Sequence, residues 1–148
     1  MHLYGKKIKS EFMTQKYLDD VTYEIIGAAI EVHKITGRGL LESVYHQYLK
    51  EELNYRKINF SSEMKIPVFY KNKEIDIDFR CDLFVKNAVV VELKAVTEIH
   101  PMHEAQLLNY MKLLKSPKGI IINFNCFNIF NEGQKTFVNE YFKNLPKL

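Results

Sequence analysis

Residues 88–96 read AVVVELKAV, residues 101–114 repeat apolar side chains at helical spacing behind a proline, and residues 119–124 read GIIINF. An extended run, a helix and a second extended run, separated by so little chain, constrain the fold more than anything else in the sequence. Two strands joined by a helix lie parallel in one sheet, and the crossover is right-handed. Pro101 suits a first helical turn, where its missing amide hydrogen costs nothing. Ala105, Leu107, Leu108, Met111 and Leu114 give that helix its apolar residues, and Ser116-Pro117 ends it. The short run Gly119–Phe124 is typical of a buried strand.

The chain before the crossover changes period once. From Tyr17 to His33, Leu18, Val21, Ile25, Ala28, Ala29 and Val32 recur at helical spacing until Thr36-Gly37-Arg38-Gly39 interrupts them. A second amphipathic helix carries Leu41, Val44, Tyr45, Tyr48, Leu49 and Leu53. Alternation then takes over. Met64, Ile66, Val68 and Tyr70 predict one strand, Lys71-Asn72-Lys73 a turn, and Ile75, Ile77, Phe79, Cys81 and Leu83 a second strand running to residue 85. The outer side of that second strand is crowded with acids. The tail from about Gln134 to Phe142 fits either a last strand or a helix. The expected order is α-α-β-β-β-α-β: an α/β fold in which an antiparallel meander joins one crossover, giving a mixed sheet flanked by helices. A length of 148 residues suits one domain over 1–148, with residues 1–13, including Lys6, Lys7 and Lys9, as a frayed basic arm.

Several function classes drop out. Apolar runs such as Ala88–Val91 and Gly119–Ile122 are too short for a membrane span, and MHLYGKKIKSEF has no apolar signal core. Cys81 and Cys126 stand apart in apolar stretches, which suits a reducing, cytoplasmic setting and argues against structural zinc. The net charge is only +3, and three of the 21 basic residues are arginines (Arg38, Arg56, Arg80). Bidentate reading of guanine edges favours Arg, so sequence-specific DNA recognition gains no support, although lysines can still neutralise phosphates. No P-loop, glycine-rich dinucleotide loop or nucleophile elbow is present.

The strand 89–96 carries the chemistry. Val90, Glu92, Lys94 and Val96 share one face, and Val89, Val91, Leu93 and Ala95 the other. An unpaired buried charge is costly, so Glu92 and Lys94 need partners, a metal or water; a solvated Glu/Lys pair is the plain alternative. Asp82 lies ten residues before Glu92 around a tight turn near Lys86–Ala88. Adjacent strands can therefore bring the two carboxylates together. Two such acids with a lysine suit Mg²⁺ or Mn²⁺, because magnesium takes one or two protein carboxylates and completes its shell with water and phosphate. Asp76 and Asp78 read as solvated. His33 reads as a cap or packing residue, and His100 and His103 as loop histidines that could touch phosphate.

An aspartate separated by nine residues from Glu92-Leu93-Lys94, on a strand-turn-strand pair ahead of an α-β unit, resembles the PD-(D/E)XK nuclease superfamily. Here Cys81-Asp82 stands where that superfamily has Pro-Asp. Gly39-Leu40-Leu41-Glu42-Ser43-Val44-Tyr45 in turn resembles the signature of its GxxExxY branch, and the likeness runs from about residue 18 to 125. The resemblance implies a restriction-endonuclease-like αβββαβ core. It also implies a metal-dependent nuclease that hydrolyses phosphodiester bonds, on DNA ahead of RNA and without strong sequence specificity. It assigns Asp82, Glu92, Glu42 and the backbone carbonyl of Leu93 to the metal. Lys94 would serve the attacking water, and Gln106 would position Lys94 or the phosphate. Tyr45, and Tyr110 four residues after Gln106, would meet nucleic acid. Taken alone, Glu42 is equally a first-turn acid facing a helix dipole. The rival reading is a non-catalytic nucleic-acid-binding or assembly module on the same scaffold, with a homodimer or partner subunits left open by the aromatic tail after Phe124.

Overall fold

The computed structural model describes residues 13–148; the basic arm with Lys6, Lys7 and Lys9 lies outside the described residues. Helix α1 (Gln15–Thr36) starts at Thr14, whose hydroxyl accepts the Tyr17 amide, and buries Leu18, Val21, Ile25, Ala28, Ala29 and Val32. Gly37 and Gly39 turn the chain with φ of 69° and 102°, a region that L side chains rarely enter. Helix α2 (Glu42–Tyr55) follows.

Seven strands come next: β1 (Phe60–Lys65), β2 (Val68–Tyr70), β3 (Lys73–Ile75), β4 (Arg80–Val85), β5 (Val89–Lys94), β6 (Lys118–Asn123) and β7 (Gln134–Val138). Helix α3 (Pro101–Leu114) links β5 to β6, a π-helical turn (Ile129–Gly133) precedes β7, and a short helix α4 (Glu140–Lys143) closes the chain. The main sheet has the order β1-β4-β5-β6-β7, antiparallel throughout except for the parallel β5–β6 pair. This is a restriction-endonuclease-like mixed sheet flanked by helices. On one face, α1 and α2 pack against Val89, Val91, Leu93, Ile120, Ile122 and Phe124. On the other, Leu107 and Met111 of α3 pack against Val90 and Ile121. Helix α3 approaches so closely that a Cβ on Gly119 would stand 2.7 Å from Met111 Sδ.

The expected meander needs one correction. The two long strands predicted over 64–70 and 75–85 are each cut in two. Pro67 has no amide hydrogen for a ladder. The β1–β4 pairing therefore ends with Lys65 opposite Arg80 and a last bond from the Ile66 amide to the Phe79 carbonyl (2.8 Å). Beyond it, β2 and β3 pair only with each other, around Lys71 and Asn72 at φ 48° and 68°. The αβββαβ core is thus β1, β4, β5, α3 and β6 with a hairpin inserted after its first strand. The ambiguous tail resolves into both alternatives, strand β7 and then, after the Asn139 cap, helix α4.

Candidate active site

Strand β4 loses its regular pairing at Asp82. Its ladder with β1 pairs Leu83 with Ser62 and Cys81 with Met64 but skips the step between, where Glu63 takes a φ of 50°. Its ladder with β5 stops at Leu83 opposite Val91. At the next step two carboxylates replace the carbonyls that a regular sheet would supply. The Asp82 amide donates to Glu92 Oε2 (2.7 Å), and the Leu93 amide donates to Asp82 Oδ2 (2.7 Å). Each carboxyl is thus held by a backbone amide donor.

The electrostatics are those of an acid pair short of positive charge. Glu92 is only 5% exposed, and its carboxyl is pushed up to about 8, first by burial and then by the Asp82 charge; Lys94 and the Asp82 amide pull the other way. Glu42, at the start of α2, is also raised. Partial burial is the main cause and Asp82 adds to it, while Lys94 and His46 oppose it. Glu42, Asp82, Glu92 and Lys94 therefore feel one another's charge across one cleft. Gln106 and Tyr110 join from α3. Gln106 Nε2 donates to the Tyr110 hydroxyl (2.9 Å), whose pKa is raised by burial and then by Glu92 and Asp82. Cys81, next to Asp82, is buried and its thiol is pushed up to about 12, chiefly by desolvation.

The donor set fits a hard divalent cation. Among the described residues no group of three His, Cys, Asp or Glu side chains is placed to hold a metal ion. Two neighbouring carboxylates remain, Glu92 buried and Asp82 half-buried, and a cation of that class takes such a pair with water.

Not every expected site residue reaches the cleft. Tyr45 is fully buried, its ring stacked on Phe124 (4.5 Å, 7°), so it has no face for a nucleobase. Instead its hydroxyl donates to the Gly37 carbonyl (2.8 Å) and accepts the Leu40 amide (3.1 Å), pinning the loop that leads to Glu42. Tyr45→Phe should lower stability by about 1–2 kcal/mol, a melting shift of a few degrees in thermal denaturation. Tyr110, 6% exposed, packs edge-on to Phe79 and turns only its hydroxyl toward the acids. Gln106 is bonded to Tyr110, not to Lys94. The Leu93 side chain is buried in the α1/α2 core, and its amide serves Asp82. Asp76 and Asp78 sit outside β4, paired with Lys65 and Arg80.

Sequence reasoning passed over two roles. His100 and His103 are not loop histidines; they cap α3. The Met102 amide donates to His100 Nδ1 (3.0 Å) and the His100 amide to His103 Nδ1 (3.1 Å). The position of His100 immediately before Pro101 was the available signal. His46, one helical turn after Glu42, is 8% exposed, with Nε2 3.4 Å from Ser62 Oγ and Nδ1 4.0 Å from Glu63. Its i,i+4 spacing from Glu42 was legible as a shared helix face.

A crossover sheet whose antiparallel strand pair presents two acids where its ladder ends, with a lysine two residues on, defines the restriction-endonuclease-like class of α/β proteins. A family model of the PD-(D/E)XK nuclease superfamily matches residues 19–136, and the chain belongs to that superfamily. Nucleases of the superfamily generally use divalent metals. No curated protein matches the chain. Among solved structures, "Crystal structure of SSO0001" is similar at a TM-score of 0.49 and 19% identity, over 66% of this chain and 49% of that one. This chain thus spans about half of that protein's length. No helix of the described residues is long and apolar enough to cross a membrane.

Proposed function

We propose that the chain is a divalent-cation-dependent nuclease of the GxxExxY branch, hydrolysing phosphodiester bonds of nucleic acid, DNA ahead of RNA. The carrying observation is the pair of bonds at Asp82, whose amide donates to Glu92 Oε2 while its Oδ2 accepts the Leu93 amide, with Lys94 on the same strand face as Glu92. Asp82 and Glu92 would hold Mg²⁺ or Mn²⁺, with Glu42 as a third acid at the rim and the Leu93 carbonyl as a further oxygen. When bound, such an ion supplies Lewis-acid chemistry, acidifying water and offsetting phosphate charge. The protein's own groups do the rest. Lys94 holds the attacking water and offsets charge developing on the phosphate. Gln106, through Tyr110, fixes the α3 wall of the cleft. Few arginines and no recognition helix leave the reaction without strong sequence preference.

The test is cleavage of labelled single- and double-stranded DNA and RNA with Mg²⁺, Mn²⁺ or EDTA. Cleavage with either ion and none with EDTA is expected. Binding without cleavage under every condition would instead mark a non-catalytic nucleic-acid-binding module.

A further inference from the structure

A cavity of about 520 Å³ opens on the α3 face of the sheet, between β6 and the π-helical turn. Its floor includes Ile121 and Asn123 of β6, and its rim includes Arg38, Asn125 and Phe127. Asn123 is the register partner of Lys94 on the neighbouring strand, so the cavity adjoins the lysine on the side away from Asp82. Arg38 belongs to the loop that leads into Glu42, which ties the opposite rim to the same cleft. The volume lies within the roughly 300–1,000 Å³ of small-ligand sites.

The lining suits a flat, aromatic ligand attached to a phosphate chain. Phe127 is 78% exposed, unusual for its type, with the Arg38 guanidinium 4.1 Å from its ring centroid. Ring area is left for a second stacking partner, and Arg38 brings a positive charge for a flanking phosphate. Of the other charges in the lining, Lys135 and Glu132 are engaged and Glu98 is exposed. Lys135 pairs with Glu104, and Glu132 Oε1 accepts the Phe127 and Asn128 amides. The Asn123 amide group is spent on Val96 and Asn125, and Asn125 Nδ2 also bonds to the Val96 carbonyl. These side chains are therefore committed, whereas the buried Gln134 Oε1 in the lining is an acceptor without a partner.

We propose that this cavity receives an unpaired nucleobase of the nucleotide next to the scissile phosphate, stacked at Phe127 and gripped through Arg38 whatever the base. A base inside a duplex is stacked on both faces and cannot reach Phe127 without leaving the helix. The substrate class is thus single-stranded nucleic acid or a duplex with an unpaired segment. The position of the scissile phosphate rests on the nuclease reading above; the stacking site does not require cleavage.

The experiment measures fluorescence anisotropy of a short labelled DNA single strand and of the blunt duplex of the same sequence, with Ca²⁺ present, alongside cleavage with Mg²⁺. The single strand is expected to bind about tenfold more tightly than the duplex, and Phe127→Ala to lose about tenfold on the single strand alone. Phe127→Trp should keep the preference, and unchanged melting temperatures should show that both variants fold. Equal binding of the single strand by wild type and Phe127→Ala overturns the proposal, as does an equal loss on both substrates. Phe127-dependent binding with no cleavage would refute the nuclease reading and leave the stacking site standing. Cleavage that ignores Phe127 and strandedness would do the reverse.

Discussion

Glu92→Gln should abolish cation-dependent cleavage, by at least about 10³-fold, and at the same time make the cation-free protein more stable above neutral pH. The two effects share one cause. The glutamine keeps an oxygen that can accept the Asp82 amide, so the bond now made by Glu92 Oε2 survives. What disappears is a buried negative charge beside Asp82. The Glu92 carboxyl is raised from 4.5 to about 8 in the fold by burial and by Asp82, so between those values the folded chain holds a proton that the unfolded chain has released. Stability therefore falls as pH rises through that window. Below about pH 4.5 this carboxyl costs nothing; above about 8 its full cost, on the order of a few kcal/mol, is present. The melting-temperature gap between Glu92→Gln and wild type in EDTA should be near zero at pH 5 and reach about 5–10 °C at pH 8.5. Mg²⁺ should close the gap by stabilising wild type alone, with proton release when it binds near pH 7. Parallel melting curves at every pH would show that Glu92 is not the uncompensated acid described above.

The same acids show what the sequence could and could not disclose. Crossover and site were legible together because Val89–Lys94 alternates faces and Pro101 marks a helix start. Both signals are local, and both survive in the structure. The break in pairing at Asp82 was not legible. It depends on Glu63 adopting a positive φ on the neighbouring strand, and glutamate carries no local preference for one. The hairpin β2–β3 was hidden for a related reason. Alternation continues unbroken through Ile66-Pro67-Val68, and only the missing amide of Pro67 reports the break. The tyrosines failed differently. Tyr45 and Tyr110 both lie on faces that carry site residues, yet helical spacing cannot say which side of a helix the core will claim. Tyr45 went into that core against Phe124. Tyr110 kept only its hydroxyl at the acids.

Lys94→Ala should lower cleavage by about 10³-fold while leaving the bonds from the Asp82 amide to Glu92 and from the Leu93 amide to Asp82, and hence the cation site, in place. Lys94→Arg should recover little, because a planar guanidinium neither fits the space of a compact ammonium nor yields a proton near neutral pH. Activity alone would not prove that Lys94 points into the cleft, since a misfolded strand would also be inactive. His103 supplies the independent readout. Its imidazole is held below the ordinary histidine value, first by desolvation and then by the nearby positive charge of Lys94. Removing that charge should raise the His103 titration midpoint in NMR, with the cap bond from the His100 amide to His103 Nδ1 still formed near neutral pH. Glu92 and Glu42 should move upward as well, because Lys94 is one of the groups that draw both down. Cation affinity at neutral pH should therefore weaken and recover as pH rises, since protons compete for the same oxygens. An unchanged His103 midpoint in an inactive but folded Lys94→Ala protein would place the ammonium outside the cleft and remove it from the reaction.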